Sequence, residues 1–138
     1  MGIKIRVLAT GIAFALLAAC QGGEPPAAAT VHKPRLFDGL GKIHHPISTN
    51  SADAQRYFDQ GLALAFGFNH DGAIDAFREA ARLQPECAMC WWGVAFAYGP
   101  NINAPMGPEG AAAAWAAAQE AKRLAPYASP AERDYIEA

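Results

Sequence analysis

With 138 residues, the chain has room for one small domain once any targeting segment is set aside. Hydrophobic residues make up 52% and charged residues 17%, too apolar for a disordered chain, and a net charge of −2 excludes the strong field that recruits nucleic acid or acidic lipid. The aromatic residues form no RNA-stacking pattern, and the abundant alanine favours helix.

The N-terminus has the layout of an export signal. Lys4 and Arg6 form a short positive region, and residues 7–19 are an uncharged apolar run. That run has the length of a signal core and falls short of the roughly 20 residues that span a bilayer. It ends in Leu17-Ala18-Ala19-Cys20, which resembles the bacterial lipobox. The resemblance implies cleavage just before Cys20 and lipid on that cysteine, by more than one acyl chain, since a single chain binds membranes only marginally. Gln21 stands where Asp would commonly signal inner-membrane retention. By likeness to Gram-negative lipoproteins this implies a periplasm-facing protein of the bacterial cell envelope, with the outer membrane favoured. The domain organisation is then a lipoprotein signal peptide at 1–19, an anchor, tether and lead-in at 20–49, and a helical domain at 50–138.

Residues 21–29 are Gly, Pro and Ala with one Glu, a composition that builds no core and reads as a flexible tether. Residues 30–49 hold Pro34, Pro46, Gly39, Gly41 and the pair His44-His45, together with Leu36, Phe37, Leu40, Ile43 and Ile47. That mixture reads as an extended lead-in lying on the domain.

From Asn50 the pattern turns helical. Ser51 is the expected N-cap, with Asp53 near the positive end of the helix dipole. Tyr57, Gly61, Leu64 and Phe68 recur at helical steps, widened by Phe58, Leu62 and Ala65, and the run ends near Gly67-Phe68-Asn69-His70. A second helix starts at Asp71, turns Ile74, Phe77, Ala80, Ala81 and Leu83 inward, and stops before Pro85. A third carries Cys90, Trp91, Val94, Ala95 and Tyr98 and ends at Gly99-Pro100. Residues 101–110 form a loop rich in Pro, Gly and Asn. A fourth helix from about Glu109 to Ala125 turns Ala114, Trp115, Ala118, Ala121 and Leu124 inward and stops at Pro126. Ser129-Pro130-Ala131-Glu132 reads as a capping box that opens a fifth.

Helix pairs of this length raise the question of repeats. Tyr57, Gly61 and Leu64 on the first helix, Ala73, Phe77 and Ala80 on the second, then Pro85, resemble one tetratricopeptide repeat. Small residues at Gly61 and Ala73 let two antiparallel helices approach, Tyr57 and Phe77 fill the space beside them, and Pro85 ends the unit. A second unit runs from about Ala88 to Pro126, with Trp91, Val94, Ala95 and Tyr98 followed by Ala114, Ala118 and Ala121. It departs from the family in two ways. Pro85 and Pro126 are further apart than the usual roughly 34-residue period. Ala118 also stands where a large aromatic is usual, so Trp115 or the inserted loop has to fill the space. The resemblance covers residues 52–138 and implies an all-α solenoid of about two repeats plus the start of a third, a truncated or partial member of that family.

The chemistry-bearing constellation is Cys87-Ala88-Met89-Cys90. Haem attachment through C-x-x-C-H is unsupported, because Trp91 stands where the His belongs. A thioredoxin-like redox site needs a strand before the motif, where this sequence has a helix and a proline. Redox exchange of another kind stays open beside two further readings. One is a structural pair, bonded as a Cys87–Cys90 disulfide in the export compartment or packed as small residues. The other is copper or zinc binding, with soft sulfur and His44, His45 or His70 as further ligands. The histidines have simpler readings as a loop pair before Pro46 and a cap within Asn69-His70-Asp71. Asp75, Arg78, Glu79 and Arg82 read as a solvated face. Gly-rich phosphate loops, a nucleophile elbow and His-Glu-x-x-His are not found in the sequence. The expectation is therefore no enzyme, no cofactor and no nucleic-acid partner. The family resemblance implies instead a protein or peptide ligand in the groove lined by the first helix of each pair, around Gln60, Asn69 and the start of the third helix. The loop Asn101-Ile102-Asn103-Ala104-Pro105-Met106 is the other expected contact element.

Overall fold

Ser51 opens α1 (Ala52–Phe66): its hydroxyl accepts the Ala54 N–H at 3.1 Å, satisfying one of the helix's orphan donors. The structure, a computed structural model, describes residues 33–103 and 105–138, so the signal segment, Cys20 and the tether lie outside the described residues.

Gly67 does not take the left-handed position that ends α1. Phe68 takes it, at φ 60°, and is exposed rather than part of the inward stripe. The Phe68 N–H donates to the Ala65 carbonyl and the Asn69 N–H to the Leu64 carbonyl, the paired bonds of a Schellman turn. Asn69 then caps α2 (His70–Leu83), accepting from the Gly72 N–H at 3.1 Å, so that helix starts one residue before Asp71. After Pro85 comes α3 (Ala88–Tyr98). Next is α4 (Pro108–Leu124), which begins at Pro108 because the ring fixes φ for the first turn and its missing N–H leaves no donor unsatisfied. A 3₁₀ turn (Ala125–Tyr127) carries the chain through Pro126 into α5 (Pro130–Glu137). There Ser129 and Glu132 form the full capping box.

The protein is all-helical over these elements, with α1 packed on α2, α3 on α4, α2 on α3, and α5 against α3 and α4. Phe77 is the pivot. Its ring lies between Gly61 of α1 and Gly93 of α3, and a Cβ on either glycine would stand 2.5 Å from it. Three helices therefore close on one ring because two of them lack a side chain there. Phe58 packs on the same ring at 5.3 Å, and Met89, Val94 and Leu124 complete the buried centre.

The inward face of α4 differs from the expected one. Ala117, Ala121 and Leu124 are buried, whereas Trp115 is 68% exposed and Ala118 only partly covered. Alanine fits either side of a helix, so the periodicity of an alanine-rich segment fixes its rotation poorly. Trp115 therefore fills no space beside Ala118. A groove of about 400 Å³ runs along α4, lined by Ala113, Ala116, Ala117 and Glu120 with Trp91, Val94 and Arg78.

Candidate functional site

The helical body carries two surface features: an extended strap held by α1, and a row of aromatic rings next to it. The strap, residues 33–50, has no helix of its own and is tied by main-chain hydrogen bonds to the side chains of α1. Gln60 donates to the Arg35 carbonyl at 2.9 Å and accepts the Phe37 N–H at 2.8 Å. Gln55 repeats the pattern further along, donating to the His45 carbonyl at 2.8 Å and accepting the Ile47 N–H at 3.0 Å. A primary amide offers one donor side and one acceptor side, so each glutamine pairs with extended backbone as a neighbouring strand would. The Tyr57 hydroxyl donates to the Pro34 carbonyl at 2.8 Å. Asp59 accepts the His45 N–H at 3.0 Å, and its other oxygen lies 2.8 Å from Nδ1 of His44. Between the two clamps, Gly39 and Gly41 take φ values of 84° and 89°, which redirect the strap. A cleft of about 300 Å³ remains beneath it, lined by Leu36, Phe37, Leu40, Ile43, Arg56 and Ala63 among others.

The strap is pinned again at α5. The Ser48 N–H donates to Glu132 at 2.6 Å, the Ser48 hydroxyl donates to the same carboxylate, and so does the Ser129 N–H at 2.6 Å. Burial pushes the Glu132 carboxyl up, but the bonds from Ser48 and Ser129 outweigh it and hold the group below the usual carboxylate range.

The row of rings crosses α1, α3 and α5. Phe66 of α1 meets Phe96 of α3 at 6.3 Å; Phe96 stacks on Trp92 at 5.3 Å with planes 3° apart; Trp92 meets Tyr135 of α5 at 5.7 Å. His45 of the strap then packs edge-on to Tyr135 at 5.7 Å. Phe66, Phe96 and Tyr135 are 62%, 43% and 49% exposed, so these rings touch one another yet keep much of their surface in water.

The positions expected to line a groove are engaged within the fold. Gln60 is 6% exposed, because its amide is spent on the strap, and the start of α3 from Ala88 to Cys90 is buried. Asn69 is exposed but committed to capping α2. Of the repeat-signature residues, Tyr57, Gly61, Leu64, Ala73, Phe77, Ala80 and Ala121 are buried, while Trp91, Ala95, Tyr98 and Ala114 are partly covered. Pro85, just after α2, and Pro126, in the turn after α4, are exposed. Tyr98 accepts a hydrogen bond from Arg78 at 3.0 Å, and that guanidinium also lies 5.7 Å from the Tyr98 ring centre. Ile102 and Met106 of the connecting loop are exposed.

Cys87 and Cys90 are joined by a disulfide at the start of α3, with their Cα atoms 5.3 Å apart, and the Cys87 sulfur also accepts the Cys90 N–H at 3.1 Å. With the sulfurs bonded to each other, neither is a thiolate ligand in this structure. His44 faces Asp59, His45 stands between Phe58 and Tyr135, and Nε2 of His70 lies 3.1 Å from Asn101. Nδ1 of His70 is buried without a hydrogen-bond partner among the described residues. No three His, Cys, Asp or Glu side chains converge on a metal-sized point among the described residues. No helix among them is long and apolar enough to cross a membrane.

No protein-family model, curated protein or solved structure matches the chain. Sequence reasoning missed Gly93, although a glycine inside an apolar helix commonly marks a close approach. It also missed the ring row. Trp92 and Phe96 are spaced four apart and so share a helix face, but Phe66 and Tyr135 join them only through tertiary packing.

Proposed function

We propose that this chain is a lipid-anchored, tetratricopeptide-type interaction module of the bacterial cell envelope, with no catalytic role. The observation that carries the reading is the row Phe66–Phe96–Trp92–Tyr135, drawn from α1, α3 and α5, in which Phe66, Phe96 and Tyr135 are exposed and Trp92 is half-buried. Large rings left in water at the junction of three helices are what a protein-binding surface needs, because aromatic anchors supply most of the energy of such contacts. The close approach of α1, α2 and α3 around Phe77, with Gly61, Ala73 and Ala80 buried, supports the repeat-type packing. The lipobox-like Leu17-Ala18-Ala19-Cys20 supports the anchor.

Two experiments test the two halves. Cys20→Ser should abolish acyl labelling of the exported protein; undiminished labelling contradicts the anchor. A Phe66→Ala, Phe96→Ala double variant should lose the envelope protein that the native chain retains under matched conditions, with its helical content unchanged. Retention of the same protein by the variant contradicts the assignment of this face.

A further inference from the structure

The ring row is continuous with an interface the molecule already uses. The strap lies on α1 as an extended segment flanked by Pro34 and Pro46, held through its main chain by Gln55, Gln60, Asp59 and Tyr57. The contact of Tyr57 is informative: an aromatic hydroxyl donates to a proline carbonyl at 2.8 Å. His45 then delivers the strap against Tyr135, where the row of rings begins. The surface beyond that point is built of aromatic rings, and no described residue of the strap lies along it past Tyr135. Trp92 and Tyr135 each combine a flat apolar ring with a polar N–H or O–H. Neither polar group has a hydrogen-bond partner among the described residues.

Extended polyproline backbone matches that surface. It has no internal hydrogen bonds, so its carbonyls need donors, and its pyrrolidine rings pack on flat aromatic faces. It is also already rigid, so little chain entropy is lost when it docks. A helix would satisfy its own carbonyls and leave the two donors unused. We infer that the occupant of the row Phe66–Phe96–Trp92–Tyr135 is a proline-rich extended segment of a partner protein, continuing the track that the strap follows on α1. The inference rests on the reading of this face as an interaction surface and names its ligand class.

The test uses the soluble chain and two peptides of equal length, acetyl-decaproline amide and an acetylated glycine–serine repeat, followed by NMR. Decaproline should shift the Trp92 indole N–H resonance and leave that of Trp115 in place, while the glycine–serine peptide shifts neither. Phe66→Ala and Phe96→Ala should each weaken decaproline binding by about tenfold. Trp92→Phe, which keeps a packed ring and removes the donor, should weaken it by less than either alanine variant weakens it. Equal response to both peptides overturns the inference, as does decaproline binding that the Phe66 and Phe96 variants leave unchanged. If decaproline fails while a photo-reactive residue at position 96 still forms adducts with an envelope protein, the proline class falls and the interaction face stands.

Discussion

Glu132 is the residue on which two separate parts of the chain depend. It closes the capping box of α5 and also anchors Ser48, some eighty positions earlier in sequence. Because its folded-state carboxyl lies below its unfolded value of about 4.3, the stability it adds is fully present above that pH. It is lost as pH falls through the folded value. Glu132→Gln should therefore lower stability at neutral pH by about 1–3 kcal/mol and flatten the acid limb of a urea-unfolding series. An unchanged acid limb would place the titration elsewhere. Gly93→Ala should cost at least about 1–3 kcal/mol, because its Cβ meets the Phe77 ring rather than a yielding chain end. A Gly93→Ala, Phe77→Leu double variant should recover part of that loss relative to the sum of the single changes, as equilibrium unfolding would show. At the end of α1 the strain is reversed: Phe68→Gly should stabilise the turn by about 1 kcal/mol, since glycine takes φ 60° freely.

At the scale of elements, what could be read from sequence was local. Ser51, Pro85 and the Ser129–Glu132 box mark helix ends through side-chain chemistry that needs no partner helix, and each acts where it was expected. The rotation of α4 was legible only towards its end, where Ala121 and Leu124 are buried as expected; nearer its start alanine carries no signal for which side is buried, and Trp115, expected inward, points to solvent. The strap was legible as extended but not as held, since Gln55 and Gln60 look like ordinary surface glutamines until backbone is laid beside them. Gln60→Ala should cost about 1–3 kcal/mol and speed hydrogen exchange at the Phe37 amide, with α2 amides little affected. Unaltered exchange at Phe37 would mean that the clamp does not hold the strap. Reducing the Cys87–Cys90 bond, which closes a very short loop, should remove about 2 kcal/mol, measured as the shift in urea midpoint with and without reductant.

For the molecule as a whole, the helices divide their labour. Phe77 of α2 is closed in between α1 and α3, while α1, α3 and α5 bring four aromatic rings to one surface. A row assembled from three helices depends on the packing that aligns them, so surface and stability are linked through the Gly61–Phe77–Gly93 contact. The most direct test of the proposed interaction face is site-specific photo-crosslinking in the cell, with the reactive residue placed at Phe96 or at Gln119, an exposed position on α4 outside the row. A discrete protein adduct from position 96 and none from position 119 is the expected result. Equal adducts from both positions, or none from position 96, would contradict it.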